Sequence, residues 1–226
     1  MYRRGPVDPP TPLDPHFLHL LLVEGQEDGR FYEQVCQHAG VADRIEIRQV
    51  GGWARFAPAL RTLVGIGTHL RTIAIVRDAE QNGRGAFQSA CAAFQQAGLP
   101  QPSQPGRLSA PDAQGRCTAA FIVPIDSSGS IESVCWASLS GHPSLPCVER
   151  FLECIDTRDV PASSYTAAVM DKRRLWSLFA AGVHNPRHMN PGGASRRLRS
   201  RVSGIGLIRH SILSLRSCAP WRGLRE

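Results

Sequence analysis

Four short apolar, β-rich runs separated by segments of helical period set the strongest limit on what this chain can fold into. The runs are HFLHLLLV, RIEIRQV, RTIAIV and CTAAFIVPID. The first and third are almost continuously apolar, as strands buried on both faces of a parallel sheet must be. RIEIRQV alternates Ile45 and Ile47 with polar neighbours at period two and ends on the apolar Val50. Between the runs, Phe31, Tyr32, Val35 and Cys36 recur at helical spacing up to Gly40, and WARFAPALRTLV resumes the period, with Pro58 marking a start or kink. AFQSACAAFQQAGLP closes at Gly98 and Pro100, and IESVCWASL, PCVERFLECI and DKRRLWSLFAAG are further helical segments. This alternation specifies an α/β fold, with a mostly parallel sheet of about four strands, right-handed crossovers and flanking helices.

Three carboxylates stand just past two of those runs: Glu24 in LLLVEG, and Asp78 and Glu80 in IAIVRDAE. At the C-terminal ends of parallel strands they would lie along the edge where open α/β sheets bind ligands. Gathered there they repel one another unless a cation intervenes, and a hard divalent ion such as Mg2+ is the usual solution. Each acid taken alone reads first as a first-turn or N-cap charge of the helix that follows its strand, and only the set points to a cation.

Charge is distributed unevenly. From residue 184 to 226 there are nine arginines against one acid, while the first 183 residues hold 17 basic and 18 acidic groups. The body is therefore close to neutral, and the basic tail either binds nucleic acid by neutralising phosphates or is a solvated extension. Of the 26 basic side chains, Lys172 alone is lysine. That bias singles out a place where a compact ammonium able to lose its proton is wanted, or reflects chance. No apolar run reaches membrane-spanning length, and MYRRGPVDPPTPLDPHF has no apolar core of a secretory signal. Seven cysteines without a CxxC pair suggest reduced thiols of a cytoplasmic protein. The eight histidines are scattered without zinc-ligand spacing, and no phosphate-binding P-loop motif occurs. The expected organisation is a proline-rich, loose leader over 1–17, an α/β domain over 18–183 and a poorly ordered basic tail over 184–226.

Five segments in order (VEG-x-x-D at 23–28, QVGG at 49–52, RDAE at 77–80, the proline-bearing strand to SSG-x-I-E at 124–132, and Asp171-Lys172) resemble the TOPRIM fold. More closely, they are similar to a bacterial family of uncharacterised TOPRIM-like proteins. TOPRIM is the catalytic module of topoisomerases, primases and overcoming-lysogenization-defect nucleases. The resemblance, from about His19 to Ala181, implies that Glu24 is a general acid/base or metal ligand. It implies that Asp78 and Glu80 are a metal pair, with glutamate standing where the pattern has its second aspartate. Glu132 and Lys172 would match later acidic and lysine positions of the nuclease branch, and Asp28 is either a further ligand or a helix cap. The arginine- and serine-rich tail departs from the family and resembles translation in a shifted frame beginning near Asn185.

The implied function is Mg2+- or Mn2+-dependent phosphoryl transfer, most simply a nuclease acting on DNA or RNA. An ATPase is a candidate partner protein if one is encoded nearby. The competing reading is a non-catalytic module that keeps the fold and pocket to bind a nucleotide, nucleic acid or protein, which the near-neutral body favours. Topoisomerase chemistry is not expected, because Tyr2, Tyr32 and Tyr165 lack a supporting domain. The serines at 127, 128 and 130 either cradle a phosphate or serve as a turn with Ser130 as N-cap.

Overall fold

The computed structural model describes residues 2–3, 12–125, 128–156 and 165–182. Five parallel strands form one sheet: β1 (Tyr2–Arg3), β2 (His19–Val23), β3 (Ile45–Gln49), β4 (Thr72–Asp78) and β5 (Cys117–Val123), in the order β1-β3-β2-β4-β5. The helices are α1 (Gln26–Ala39), α2 (Phe56–Ile66), α3 (Gly83–Gln96), α4 (Ile131–Ser138), α5 (Leu145–Asp156) and α6 (Ala167–Gly182), with a 3-10 turn over Trp53–Arg55 before α2. The expected four-stranded parallel α/β sheet is present in a Rossmann-like arrangement, extended at one edge by the two-residue β1.

Strand side chains point alternately to the two faces. Leu20, Leu22, Ile73, Ile75 and Ala120 pack with Leu60, Leu63, Ala90 and Phe94 of α2 and α3. Leu21, Val23, Ala74, Val76 and Ala119 face the other way, toward Tyr32 and Cys36 of α1. Helices on both faces bury β2 completely, which is why HLLLV carries no solvent-facing polar alternation.

Two segments read differently in the structure. Pro58 sits in the first turn of α2, where a missing N–H costs nothing, and the residues before it form the separate 3-10 turn. The leader is partly built into the fold: Tyr2 and Arg3 pair with Ile47 and Arg48 of β3, and Leu13 and Phe17 are buried. Proline-rich composition discourages regular structure but does not stop apolar side chains from packing. The tail from residue 183 onward lies outside the described residues, as does Ser127. Among the described residues, no helix is long and apolar enough to cross a membrane.

Candidate functional site

The chain leaves β2 toward β3 through α1 and leaves β4 toward β5 through α3, so the connections depart in opposite directions from two adjacent strands. The crevice at their C-terminal ends is the place where an open α/β sheet receives a ligand. Glu24 directly follows β2, and Asp78 is the last residue of β4. α4 brings its N-terminus to the same edge: the Ile131 N–H donates to Asp78 Oδ1 at 3.0 Å. A carboxylate there satisfies an otherwise orphaned helix donor and faces the positive end of the helix dipole.

The other predicted residues gather around this contact. Glu132, in the first turn of α4, accepts from the Ser130 hydroxyl at 2.8 Å and pairs with Lys172 Nζ at 3.3 Å. Asp28 occupies the third position of α1 and accepts from the Gly25 N–H at 2.8 Å, so it caps the helix by reaching back and is not itself the N-cap residue. Arg77 Nε donates to Glu24 Oε1 at 3.3 Å. The Arg77 guanidinium also lies over the Trp53 ring, 5.2 Å from its centroid. Glu80 differs from the rest. Its side chain is exposed, its φ is 51°, and its backbone exchanges hydrogen bonds with Gly129 (2.7 and 2.6 Å).

These carboxylates share one electrostatic neighbourhood. Burial, then the charges of Asp28 and Glu132, push Asp78 up to about 8, against the opposing Ile131 N–H and with a further contribution from Glu24. Burial also raises Asp28, offset by the Gly25 N–H, with Glu132 raising and Lys172 lowering it. Glu24 is raised by burial, held back by Arg77, and raised again by Asp28 and Glu80. The buried Tyr32 phenol is held protonated by burial and by Asp78 and Asp28. Burial and Glu132 push the Cys135 thiol up to about 12, so it is no nucleophile at neutral pH. A largely apolar cavity of about 150 Å3 is lined by Tyr32, Val123, Pro124, Ile131 and Val134 among others, with none of these carboxylates in its lining.

Among the described residues, no three His, Cys, Asp or Glu side chains are drawn together as a ready ligand set. Asp78 feels the charges of Asp28, Glu132 and Glu24, while the exposed Glu80 acts on Glu24. The donor chemistry is all oxygen, which fits a hard cation such as Mg2+ or Mn2+.

Residues 18–199 match the profile of a family described as a protein of unknown function (DUF3226). The chain belongs to the DUF3226 family. No curated protein matches it, and no solved structure does. The DUF3226 region contains β2 through α6 and therefore every residue of the acidic edge.

Three residues of this DUF3226 edge escaped the sequence reading as site residues: Arg77, Tyr32 and Trp53. Arg77 meets Glu24 across 53 positions, and periodicity carries no signal for such a pair. Trp53 had a usable signal, a tryptophan directly after a Gly-Gly turn at a strand's C-terminal end. Tyr32 was visible only as an apolar helix position.

Proposed function

We propose that this protein is a Mg2+- or Mn2+-dependent phosphoryl-transfer enzyme of TOPRIM type, a nuclease acting on DNA or RNA. The observation that carries this reading is the position of Asp78 at the switch-point edge, where burial and the charges of Asp28, Glu132 and Glu24 push its carboxyl up to about 8. Fixed negative charge in excess of its fixed partners asks for either protons or a cation. Asp78, Glu24 and Glu132 would hold the metal, with Glu80 able to join from its exposed position. The ion would polarise a phosphodiester and steady the leaving oxygen.

The chain's own groups do the rest. Glu24, with its affinity for a proton raised by burial, takes or gives one at the reacting oxygen. Arg77 holds Glu24 in place through their ion pair. Lys172, 60% exposed and paired with Glu132, offers a positive charge at the mouth and is the second proton carrier. The setting is a reducing compartment such as the cytoplasm, supported by the free thiols of Cys36, Cys91, Cys117, Cys135 and Cys147. An ATPase partner fits a chain without its own P-loop.

A non-catalytic binding module is the second reading. Asp28, Asp78 and Glu132 each already accept a hydrogen bond within the fold, which a purely structural cluster would also show. Purified protein incubated with Mg2+ or Mn2+ and labelled single- and double-stranded DNA and RNA separates the two. The enzyme reading expects metal-dependent cleavage, abolished in Glu24→Gln and Asp78→Asn with circular dichroism unchanged. Metal binding without cleavage of any strand selects the module.

A further inference from the structure

Trp53 is 58% exposed, at a position the sequence could have filled with a polar residue. Exposed tryptophans are common singly and need no function by themselves. This one, however, is wired to the acidic edge in two independent ways. The N–H groups of Gly51 and Gly52 both donate to the Glu24 carbonyl, at 2.9 and 3.1 Å, so the turn presenting Trp53 is fastened to the backbone of Glu24. Gly52 has φ 115°, a conformation open to glycine and strained for other residues. In addition, Arg77 bridges the two side chains, donating to the Glu24 carboxylate while its guanidinium lies over the indole. The ring is thus held one ion pair away from the proposed proton carrier, with most of its surface in solvent.

We infer that Trp53 is a stacking platform for an unpaired nucleobase, so that the site takes single-stranded DNA or RNA in preference to closed duplex. Every base has a π-face, and stacking on an aromatic side chain gives affinity without reading sequence. A base paired inside a duplex cannot offer that face without being unstacked. The near-neutral body makes such a platform useful, because phosphate attraction from the body is weak and a neutral contact must supply part of the affinity. This inference rests on the nucleic-acid reading above and narrows its substrate class.

The test is fluorescence anisotropy of labelled oligo(dA), oligo(A), an abasic strand of equal length and a blunt duplex, with the full chain. Ca2+ replaces Mg2+ to permit binding without cleavage. Trp53→Ala is expected to weaken binding to both base-bearing strands by about 5- to 150-fold, the range for loss of one stacked base. Trp53→Phe should restore most of that loss, and wild type and Trp53→Ala should bind the abasic strand alike. The ratio of the DNA and RNA effects assigns the source of the base. Equal binding of base-bearing strands by wild type and Trp53→Ala would overturn the inference. So would an equal loss on the abasic strand, or wild-type binding of duplex as tight as that of single strands. Should wild type bind no strand and cleave none, the nucleic-acid reading fails with it. Should Mg2+-dependent cleavage persist while Trp53→Ala binds normally, only the platform is lost.

Discussion

Ionising Asp78 places a charge in a half-buried position that already feels Asp28, Glu132 and Glu24. Its carboxyl titrates at about 8 in the folded chain against 3.8 as the ordinary value. Below the lower value both folded and unfolded states are protonated, and Asp78 imposes no charge penalty. Between the two values the unfolded state gives up its proton while the folded state keeps it, so stability falls as pH rises, and above about 8 the full penalty is present. Asp78→Asn keeps an acceptor for the Ile131 N–H and removes the titration. In chelator, the variant should be more stable than wild type at about pH 9 by roughly 2 to 4 kcal/mol. That range takes about 1.4 kcal/mol for each tenfold change in proton affinity and discounts it for residual solvation. The gap should narrow steadily as pH falls below about 8 and close only below 3.8, where the unfolded chain is protonated as well. Urea denaturation across that range measures it, and parallel pH profiles for the two proteins would show that Asp78 is not charge-stressed. Millimolar Mg2+ should flatten the wild-type slope by binding the ionised form. At this scale the sequence was informative where a residue's place follows from its strand: Glu24 and Asp78 lie at strand ends because the apolar runs stop there. It was silent on Arg77 and Trp53, whose roles come from contacts between distant loops.

The position of α4 depends on a small irregular pairing. Glu80 and Gly129 exchange both backbone hydrogen bonds, and this fixes the turn that delivers the Ile131 N–H to Asp78. Gly129 has φ 136°, and a Cβ there would stand 2.8 Å from Ser133 Oγ. That hydroxyl already accepts the Ser130 N–H. Gly129→Ala should therefore cost about 1–3 kcal/mol of stability through strain and crowding. It should also weaken the Asp78 contact, seen as a changed pH dependence alongside the lowered urea midpoint. A variant as stable as wild type would mean that the turn is not held in this conformation. The SSGS stretch was legible as a strand-to-helix turn with Ser130 at the N-cap, which is what a run of turn residues before IESV encodes. Its pairing with Glu80 was not, since a bridge between two loops has no period to read. The regular elements fared better. All four strand runs and every helical segment appear within a few residues of their apolar patterns, because burial on one face or both writes the same periodicity into sequence and structure.

The largest departure from the sequence reading concerns how the molecule closes its β3 edge. Glu46 and Arg48 are almost fully buried, an ion pair on the strand next to the sheet's margin. Charges withdrawn from water need their remaining donors and acceptors satisfied, and the leader supplies some of that. Arg48 Nη2 donates to the Pro12 carbonyl at 2.7 Å, and the Asp14 N–H donates to Glu46 Oε2 at 3.1 Å. Leu13, between those two anchors, packs into the same core as Leu60 and Leu63, and Phe17 is buried as well. A segment read from its prolines as a loose leader is thus part of the cover that makes a buried ion pair tolerable. Nothing in RIEIRQV shows the pair to be buried, since Glu46 and Arg48 occupy the polar positions of an apparently half-solvated strand. Leu13→Ala should cost about 2–4 kcal/mol as a core truncation. Deleting residues 1–17 should cost more, because it adds the loss of Phe17 and two hydrogen bonds to buried charges, each worth about 1.5–3 kcal/mol. Thermal denaturation of the two variants beside wild type would rank them. If the deletion melts no lower than Leu13→Ala, the leader contributes one side chain to the core and the buried pair is satisfied without it.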